Sequence, residues 1–517
     1  MPSLSTPLNT VSQYKKWFML MAMSISLGMT FIDQTAVAIA LPKIQNIFHI
    51  SPILLQWIMN AYLLTLAVFL TIAGRLGDIY QHHRIFVMGL IIFLFASIAC
   101  AIAPNIGWLI ASRVIQGLGA ALMIPNSVVI IINIFGPDEK GKAMGIYVGS
   151  AFFFLTFALM LGGLLIQFFS WRMIFWLNLP LSCLSLLIVY YFFEPLAHSN
   201  AKEKIDWAAL ITLTLASSIL VYAIMESSNI TLFNFMVLML ISAIFFVIYY
   251  VLERHSDSPF IDISVFRNKL FLSTTILSIG MSIAPAIFIF DAIFYQNILG
   301  LQPAVAGFAF LPNIIFLMLA SPIAGKIYDL YGYRTPVITG LLLVILGLLW
   351  KAIFAVYQNY WFLLPGIICF SVGAPFIQSP MNTAALSSIE LKRRGTASGL
   401  LNAVRQISTS MSLAILTTII VGSNHYLLTK FLTANQKNYP TFSVLKLENL
   451  LQNQMVKDVS LSANELTSLH HHASLIYTLA YSIGHYICSF FLFITLLLIL
   501  GIFKQLRIDE KDFHGLE

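Results

Sequence analysis

In this chain of 517 residues, 59% are hydrophobic and only 9% are charged. Soluble domains carry about 25% charged residues, and surface area falls too slowly with size for a soluble fold to hide so much apolar side chain. The net charge of +7 invites a nucleic-acid reading, but the Lys and Arg stand singly between apolar runs and build no basic arm, so nucleic acid is excluded as a partner.

The first sixteen residues are polar and end in Lys15-Lys16, ahead of a long apolar run. Ala36-Val37-Ala38 offers the small residues of a cleavage site, yet the run is long for a signal-peptide core and many more follow, so it reads as an uncleaved first span. A span needs about 20 mostly apolar residues. Fourteen are expected, near 17–41, 52–73, 85–104, 107–132, 143–166, 173–193, 207–226, 232–252, 270–293, 304–324, 335–354, 360–386, 396–420 and 477–502. The connections are short except for 421–476, a polar stretch with sparse helical patterning that holds His470-His471-His472. Three adjacent histidines cannot share one helix face, and this run reads as a solvated loop. Cys100, Cys183, Cys369 and Cys488 all fall in apolar segments without metal-ligand spacing and read as free, buried thiols.

An even span count puts both termini on one side. With the termini in the cytoplasm, nineteen of the 28 Lys and Arg lie on that side, seven (Lys351 among them) lie outside, and Arg113 and Arg405 lie inside spans. This asymmetry predicts a multi-pass protein of the cell membrane, inner or plasma, with both termini cytoplasmic. There is also an internal echo. Gly74-Arg75-Leu76-Gly77-Asp78, closed by Arg84, follows the second span, and Gly325-Lys326-Ile327-Tyr328-Asp329, with Gly332 and Arg334, follows the tenth. Similar short loops at corresponding places suggest two related halves. Arg75, Asp78, Arg84, Asp329 and Arg334 form a candidate cytoplasmic gate. A carboxylate is favoured at a helix amino end, and for Asp78 the start of span thirteen, after Arg393-Arg394-Gly395, is the expected dock.

Charge inside a membrane is costly and marks function by default. Asp33 lies well inside span one, where a carboxyl set against a cation can load and release a proton; a hydrated carboxylate near the outer surface is the alternative. Arg113 in span four must find acceptors or water. Gln116 lies three residues on, on the same face, and Gly117 and Gly119 permit close helix contact; a helix-packing arginine is the alternative. For Asp291, near the outer end of span nine with Tyr295 and Gln296 beside it, a hydrated carboxylate and a substrate or proton role stand side by side. Asn402, Arg405 and Gln406 share one face of span thirteen, as a polar cavity lining or as a structural bond to the other half. Trp57, Asn60 and Tyr62 in span two offer an aromatic pocket with polar handles, whereas Phe152, Phe153 and Phe154 read as lipid-facing.

At these residues the chain resembles the major facilitator superfamily, specifically its fourteen-span drug:proton antiporter family of the EmrB/QacA type. Asp33-Gln34-Thr35 through Ala40-Leu41-Pro42 resembles the family's first-span motif. Gly74 to Arg84 resembles the loop motif after span two, with Gln81 where the family usually has Gly. Arg113 to Ala121 resembles the span-four motif. Trp171-Arg172-Met173-Ile174-Phe175-Trp176-Leu177-Asn178-Leu179-Pro180 is similar to the family's entry into span six, and Pro259 to Arg267, Leu311-Pro312 and Gly395 to Gln406 fit the second half. In span five the pair Gly162-Gly163 is present, but Ala158-Leu159 stands where the antiporter motif usually has Gly-Pro.

The resemblance implies an all-α integral membrane protein with the major facilitator fold: an N-terminal six-helix bundle (1–205), two additional spans and a linker (206–258), and a C-terminal six-helix bundle (259–517) with its long outer loop at 421–476. It implies a secondary active transporter working by alternating access, with proton-coupled efflux of lipophilic or amphipathic small molecules. Asp33 and Arg113 would couple protons, and Trp57, Asn60, Tyr62, Gln116, Asp291, Tyr295, Gln296, Asn402, Arg405 and Gln406 would line the substrate cavity. No cofactor is expected, since the proton gradient supplies the energy. The expected partners are the small-molecule substrate, protons and membrane lipids, together with a periplasmic adaptor of the kind some relatives use. Export of a dedicated metabolite such as a siderophore, and import or facilitated diffusion by the same fold, remain alternatives. An integral membrane enzyme is the alternative of another class, but of the eleven histidines only His485 lies in a span, and no nucleotide-binding loop occurs.

Overall fold

Apolar runs of this length leave backbone amides no water to bond in a bilayer, so each closes its hydrogen bonds within a helix. The computed structural model describes residues 13–48, 52–136, 138–193, 207–225, 230–254, 263–435, 444, 447 and 463–514. In chain order the longer helices are α1 (Gln13–Phe48), α2 (Pro52–Tyr80), α3 (His82–Ala101), α4 (Ile106–Ile134), α5 (Lys140–Phe168), α6 (Met173–Phe192), α7 (Trp207–Met225) and α8 (Leu232–Arg254). They continue as α9 (Lys269–Met281), α10 (Ala284–Asn297), α11 (Pro303–Phe308), α12 (Leu311–Tyr331), α13 (Arg334–Phe354), α14 (Tyr360–Ser387), α15 (Arg394–Ala434) and α16 (Ala463–His514). Among the described residues, 12 helical segments are long and apolar enough to cross a membrane, and Ala208–Ala223 within α7 is apolar but shorter. Helix α5 runs for 29 residues. The expected domain boundaries at 205/206 and 258/259 and most of 436–462 lie outside the described residues.

The expected ninth span is two helices. Pro285 sits in the first turn of α10, where its missing N–H is harmless. A continuous helix would need that N–H and would meet the proline ring, so α9 stops at Met281 and Ser282-Ile283 form the turn. The last two spans also depart from expectation. With 41 residues in α15 and 52 in α16, at about 1.5 Å each, they run ~60 and ~80 Å, well past a hydrocarbon core of about 30 Å. Much of the stretch expected to be a loop is therefore helix. Leu428 of α15 packs with Leu469 and Ala473 of α16, and this packing supports helix where hydropathy alone reads polar loop. His470-His471-His472 lie in α16, where the His472 ring stacks on Phe431 at 5.4 Å.

The chain divides into two compact units. The first comprises Met1–Thr275, Ser321–Pro336 and Gln378–Ile407. Here α4 packs against α2 and α3, α1 against α5 and α6, and α7 against α8 and α2. Asn105 caps α4, its side chain accepting from Trp108 N at 2.9 Å. Within lipid, close packing rather than expulsion of water holds helices together, and small residues allow it. A Cβ on Gly117 would lie 2.5 Å from the Tyr62 carbonyl oxygen, so glycine lets α4 lie directly on α2. The second unit comprises Ile276–Ala320, Val337–Ile377 and Ser408–Glu517. Its α13 and α14 touch through Gly347, where a Cβ would lie 2.6 Å from Phe370 N. Phe294, Tyr295, Ile367 and Tyr481 form a buried core there.

Gln81 is the single residue between α2 and α3, and its φ is 79°. The matching turn between α12 and α13 uses Gly332 at φ 73°. A side chain in this region is strained, which gives a physical reason for glycine at the position where Gln81 stands. Gln81→Gly is expected to stabilise the protein by about 1 kcal/mol, read as a rise in melting temperature in detergent.

Candidate functional site

Three helices of the first unit carry Asp33 (α1), Arg113 (α4) and Tyr62 (α2) to one point, and all three are 0% exposed. Arg113 NH1 donates to Asp33 Oδ2. It also donates to Gln116 Oε1 at 2.8 Å, and Nε donates to the Ile58 carbonyl at 3.0 Å. The guanidinium lies over the Tyr62 ring, 4.3 Å from its centroid. Gln116 Nε2 donates to Asp33 Oδ1 and to Ser97 Oγ, both at 2.9 Å. Asn178 Nδ2 from α6 reaches Asp33 Oδ1 at 3.4 Å and Ser97 Oγ at 3.3 Å. Arg113 NH2 and Asn178 Oδ1 have no hydrogen-bond partner among the described residues. A dry ion pair with spare polar atoms beside it can be rearranged by one proton on the carboxylate without leaving every group unsatisfied.

The second unit holds another buried pair. Asp291 (α10) and Lys351 (α13) are 1% and 2% exposed. Lys351 Nζ donates to both Asp291 oxygens at 2.6 Å, and Tyr481 OH from α16 donates to Oδ1 at 2.6 Å. The sequence counts Lys351 among the outer cations, but α13 carries it inward. This burial does not fit a hydrated carboxylate, and the substrate or proton role stands as the other sequence alternative for Asp291. Removing one partner of a buried pair strands the other, at a cost of about 3–5 kcal/mol. Lys351→Met is therefore expected to lower the melting temperature sharply, and adding Asp291→Asn to recover most of the loss; a single variant as stable as the parent would contradict the pairing.

At one end of the first unit, the two echoing loops meet helix amino ends. Asp78 accepts from Gly395 N at 2.8 Å, and from Thr396 N and Thr396 Oγ1 at 2.7 Å, at the start of α15. Asp329 accepts from Gly141 N at 2.7 Å and Lys142 N at 2.8 Å, at the start of α5. Each carboxylate thus closes a helix whose first amides lack partners and whose dipole favours an anion. Arg394 NH1 donates to Asn133 Oδ1 at 2.6 Å, and Ser321 Oγ donates to the Gly145 carbonyl at 2.7 Å. The first half of the chain is bound to the second at this face twice, by the same device. Arg75 is buried, while Arg84 and Arg334 are exposed.

The other predicted residues are spread out. Trp57 stacks on Tyr222 of α7 at 6.0 Å, and Asn60 is half-buried. Tyr295 is buried against Phe310 and Tyr360, with Gln296 half-buried beside it. Asn402 is buried and accepts from Arg405 NH2, while Arg405 is exposed and Gln406 half-buried. Ser97, Asn178, Lys351, Tyr481, Gly141 and Lys142 were not singled out by sequence. For Lys351 the available signal was its place inside an unbroken helical run before Phe354. No group of three His, Cys, Asp or Glu able to hold a metal occurs among the described residues.

Comparison with known proteins agrees with this architecture. Residues 23–413 match the family described as Major Facilitator Superfamily. The multidrug resistance protein Stp of Mycobacterium tuberculosis is 32% identical over 416 residues, covering 78% of this chain and 75% of that protein. The riboflavin transporter RibZ of Clostridioides difficile is 25% identical over 424 residues, covering 82% and 90%. In fold, the human organic anion transporter MFSD10 (TETRAN) superposes with a TM-score of 0.60 at 12% identity, covering 94% of this chain and 99% of that one.

Proposed function

Because the chain belongs to the major facilitator superfamily, a family of multi-pass membrane transporters, we propose that it is a proton-coupled exporter of lipophilic or amphipathic small molecules. The observation that carries this is the fully buried Asp33–Arg113 pair, braced by Gln116. Protonation of Asp33 removes the negative charge that holds the guanidinium. Arg113 then keeps Gln116 and the Ile58 carbonyl, and its NH2 is available for a new partner. The helices α1 and α4 so lose one tie, which gives the proton a different affinity for two arrangements of the protein, the requirement for any coupling.

We place fourteen spans in the membrane, adding α5 and α7 to the twelve, in two six-helix bundles at 1–205 and 259–517 with the pair at 206–258 between them. Both termini then lie in the cytoplasm, as the Lys and Arg distribution favours. The face held by Asp78 and Asp329 is the cytoplasmic gate, shut in this conformation. Alternating access breaks these two helix caps and remakes them. Trp57, Asn60, Tyr295, Gln296, Asn402, Arg405 and Gln406 serve as substrate contacts, and a periplasmic adaptor joins the exporter where a second membrane must be crossed. Similarity to a multidrug resistance protein at 32% identity supports efflux. Similarity to a riboflavin transporter supports the second reading, transport of one dedicated metabolite.

Dye transport into inside-out vesicles tests this. With a pH gradient imposed, uptake of a lipophilic cation is expected, and it should stop when the gradient is collapsed. Uptake indifferent to the gradient would refute coupling. No uptake across cationic and neutral dyes would favour the dedicated metabolite, to be found by comparing what cells with and without the protein secrete.

A further inference from the structure

The cluster in the second unit holds an atom with no counterpart around Asp33. On α16, His485 Nδ1 lies 2.9 Å from the Tyr481 carbonyl oxygen. A carbonyl can only accept, so Nδ1 carries a proton, and in the neutral ring Nε2 then presents a bare lone pair. Among the described residues that nitrogen has no hydrogen-bond partner. It faces Asp291 Oδ1 across 3.7 Å, and both residues are 1% exposed. Two acceptors therefore confront each other in a dry site. A structural ion pair between Asp291 and Lys351 explains the burial of those two, but not a desolvated, unpartnered imidazole nitrogen aimed at the carboxylate.

The charges decide what such an arrangement can do. The Asp291 carboxylate and the Lys351 ammonium cancel. A proton on His485 Nε2 makes the imidazole a donor to Oδ1 and a rival of Lys351 for one carboxylate. Among the described residues, the titratable groups around it are Asp291 and Tyr295 of α10, Lys351 of α13, and Tyr477, Tyr481 and Cys488 of α16. None of these besides Asp291 supplies a counter-charge. With His485 neutral, Asp291 binds Lys351 of α13 and the Tyr481 hydroxyl of α16. With His485 charged, α16 gains a second tie to Asp291 and the hold on α13 weakens. Proton occupancy thus sets how the carboxylate is shared between α13 and α16.

We propose that His485 Nε2 is a second proton-binding site, in the C-terminal half, with Asp291 as its counter-charge and Lys351 as the group it loosens. Its use in transport rests on the proton-coupled function proposed above, whereas proton binding itself does not.

The test counts protons. Purified protein in weakly buffered detergent is titrated from about pH 8 to about pH 5, the range in which histidine changes charge. His485→Gln is expected to take up one proton fewer per chain than the parent. Asp291→Asn should move the same step to lower pH by removing the counter-charge, and Lys351→Gln to higher pH by removing the competing cation. An unchanged proton count in folded His485→Gln overturns the proposal. Should that variant not fold, a step unmoved by Lys351→Gln overturns it equally. Asp33→Asn, measured in parallel, reports the first site separately: a missing step there with none missing in His485→Gln would sink only the second site, and the reverse only the first.

Discussion

Asp33→Asn is expected to abolish gradient-driven dye accumulation while leaving the protein in the membrane. Asparagine keeps the size of the carboxylate and can still bond Gln116 Nε2 through its oxygen. It cannot carry the negative charge that Arg113 NH1 meets in the parent. The guanidinium is 0% exposed and cannot practically lose its proton, so the variant buries an unpaired cation. The cost is about 3–5 kcal/mol, seen as a lower melting temperature. That loss could be mistaken for the cause of inactivity, and a second substitution separates the two. Asp33→Asn with Arg113→Met removes both charges, and replacing a whole buried pair by uncharged groups is often neutral or stabilising by about 1–4 kcal/mol. The double variant should melt near or above the parent and still fail to accumulate dye under an imposed pH gradient. Gradient-dependent uptake in either variant would exclude Asp33 as the coupling carboxylate. Arg113→Lys should fall between the two. An ammonium can meet Asp33, but it cannot also donate through Nε to the Ile58 carbonyl and lie flat on Tyr62.

Asp33, Arg113 and Gln116 stand out in sequence because each interrupts an apolar run, and charge or amide in such a place needs a reason. Their companions Ser97 and Asn178 gain meaning only when α1, α3, α4 and α6 bring them together, since small polar residues are common where membrane helices pack. Lys351 was hidden by its position. It lies three residues from the end of α13, where a count of loop charges assigns it to the outside. Only the fold shows it turned towards Asp291. The loop motif was legible on one side: a carboxylate beside a helix start suggested Asp78 and Gly395. Asp329 was legible as an echo of Asp78, but its own dock at Gly141 and Lys142 was not, because nothing at the start of α5 marks it as a receptor. The end of the chain misled for another reason. Between 421 and 476 hydropathy reports the absence of lipid contact, yet α15 runs on to Ala434 and α16 begins at Ala463, supported by packing between the two.

Separation of α2 from α15 at the face held by Asp78 is expected from a single added methyl group. A Cβ on Gly74 would run into the Gly395 carbonyl, and one on Gly395 would lie 2.7 Å from Asp78 Oδ1 and 2.6 Å from His82 Cε1. Helices α2 and α15 touch here backbone to backbone, so Gly74→Ala must push them apart. Asp78 then loses its reach to Gly395 N and Thr396 N, which sit only 2.8 and 2.7 Å away. Charge-assisted hydrogen bonds of this kind contribute about 1.5–3 kcal/mol each, and about 1.4 kcal/mol is a factor of ten in a population. The shut arrangement should therefore lose at least about tenfold in weight. Ser398, 2% exposed with its Oγ donating to the Pro125 carbonyl at 3.1 Å, provides the readout. In a chain whose four cysteines are replaced, Ser398→Cys should react slowly with a maleimide, and much faster once Gly74→Ala is added. Gly422, on the same α15, supplies the control: an added Cβ there meets nothing within 4 Å, so Gly422→Ala should leave the labelling rate alone. Equal labelling in the Gly74 and Gly422 variants would mean that this contact does not hold the face shut. If Gly74→Ala speeds labelling but transport continues undiminished, the caps seal the face without limiting the cycle. If transport falls with it, remaking the Asp78 cap is a required step, and Gly325→Ala, which would strike the Gly141 carbonyl in the matching contact, should produce the same loss from the other half.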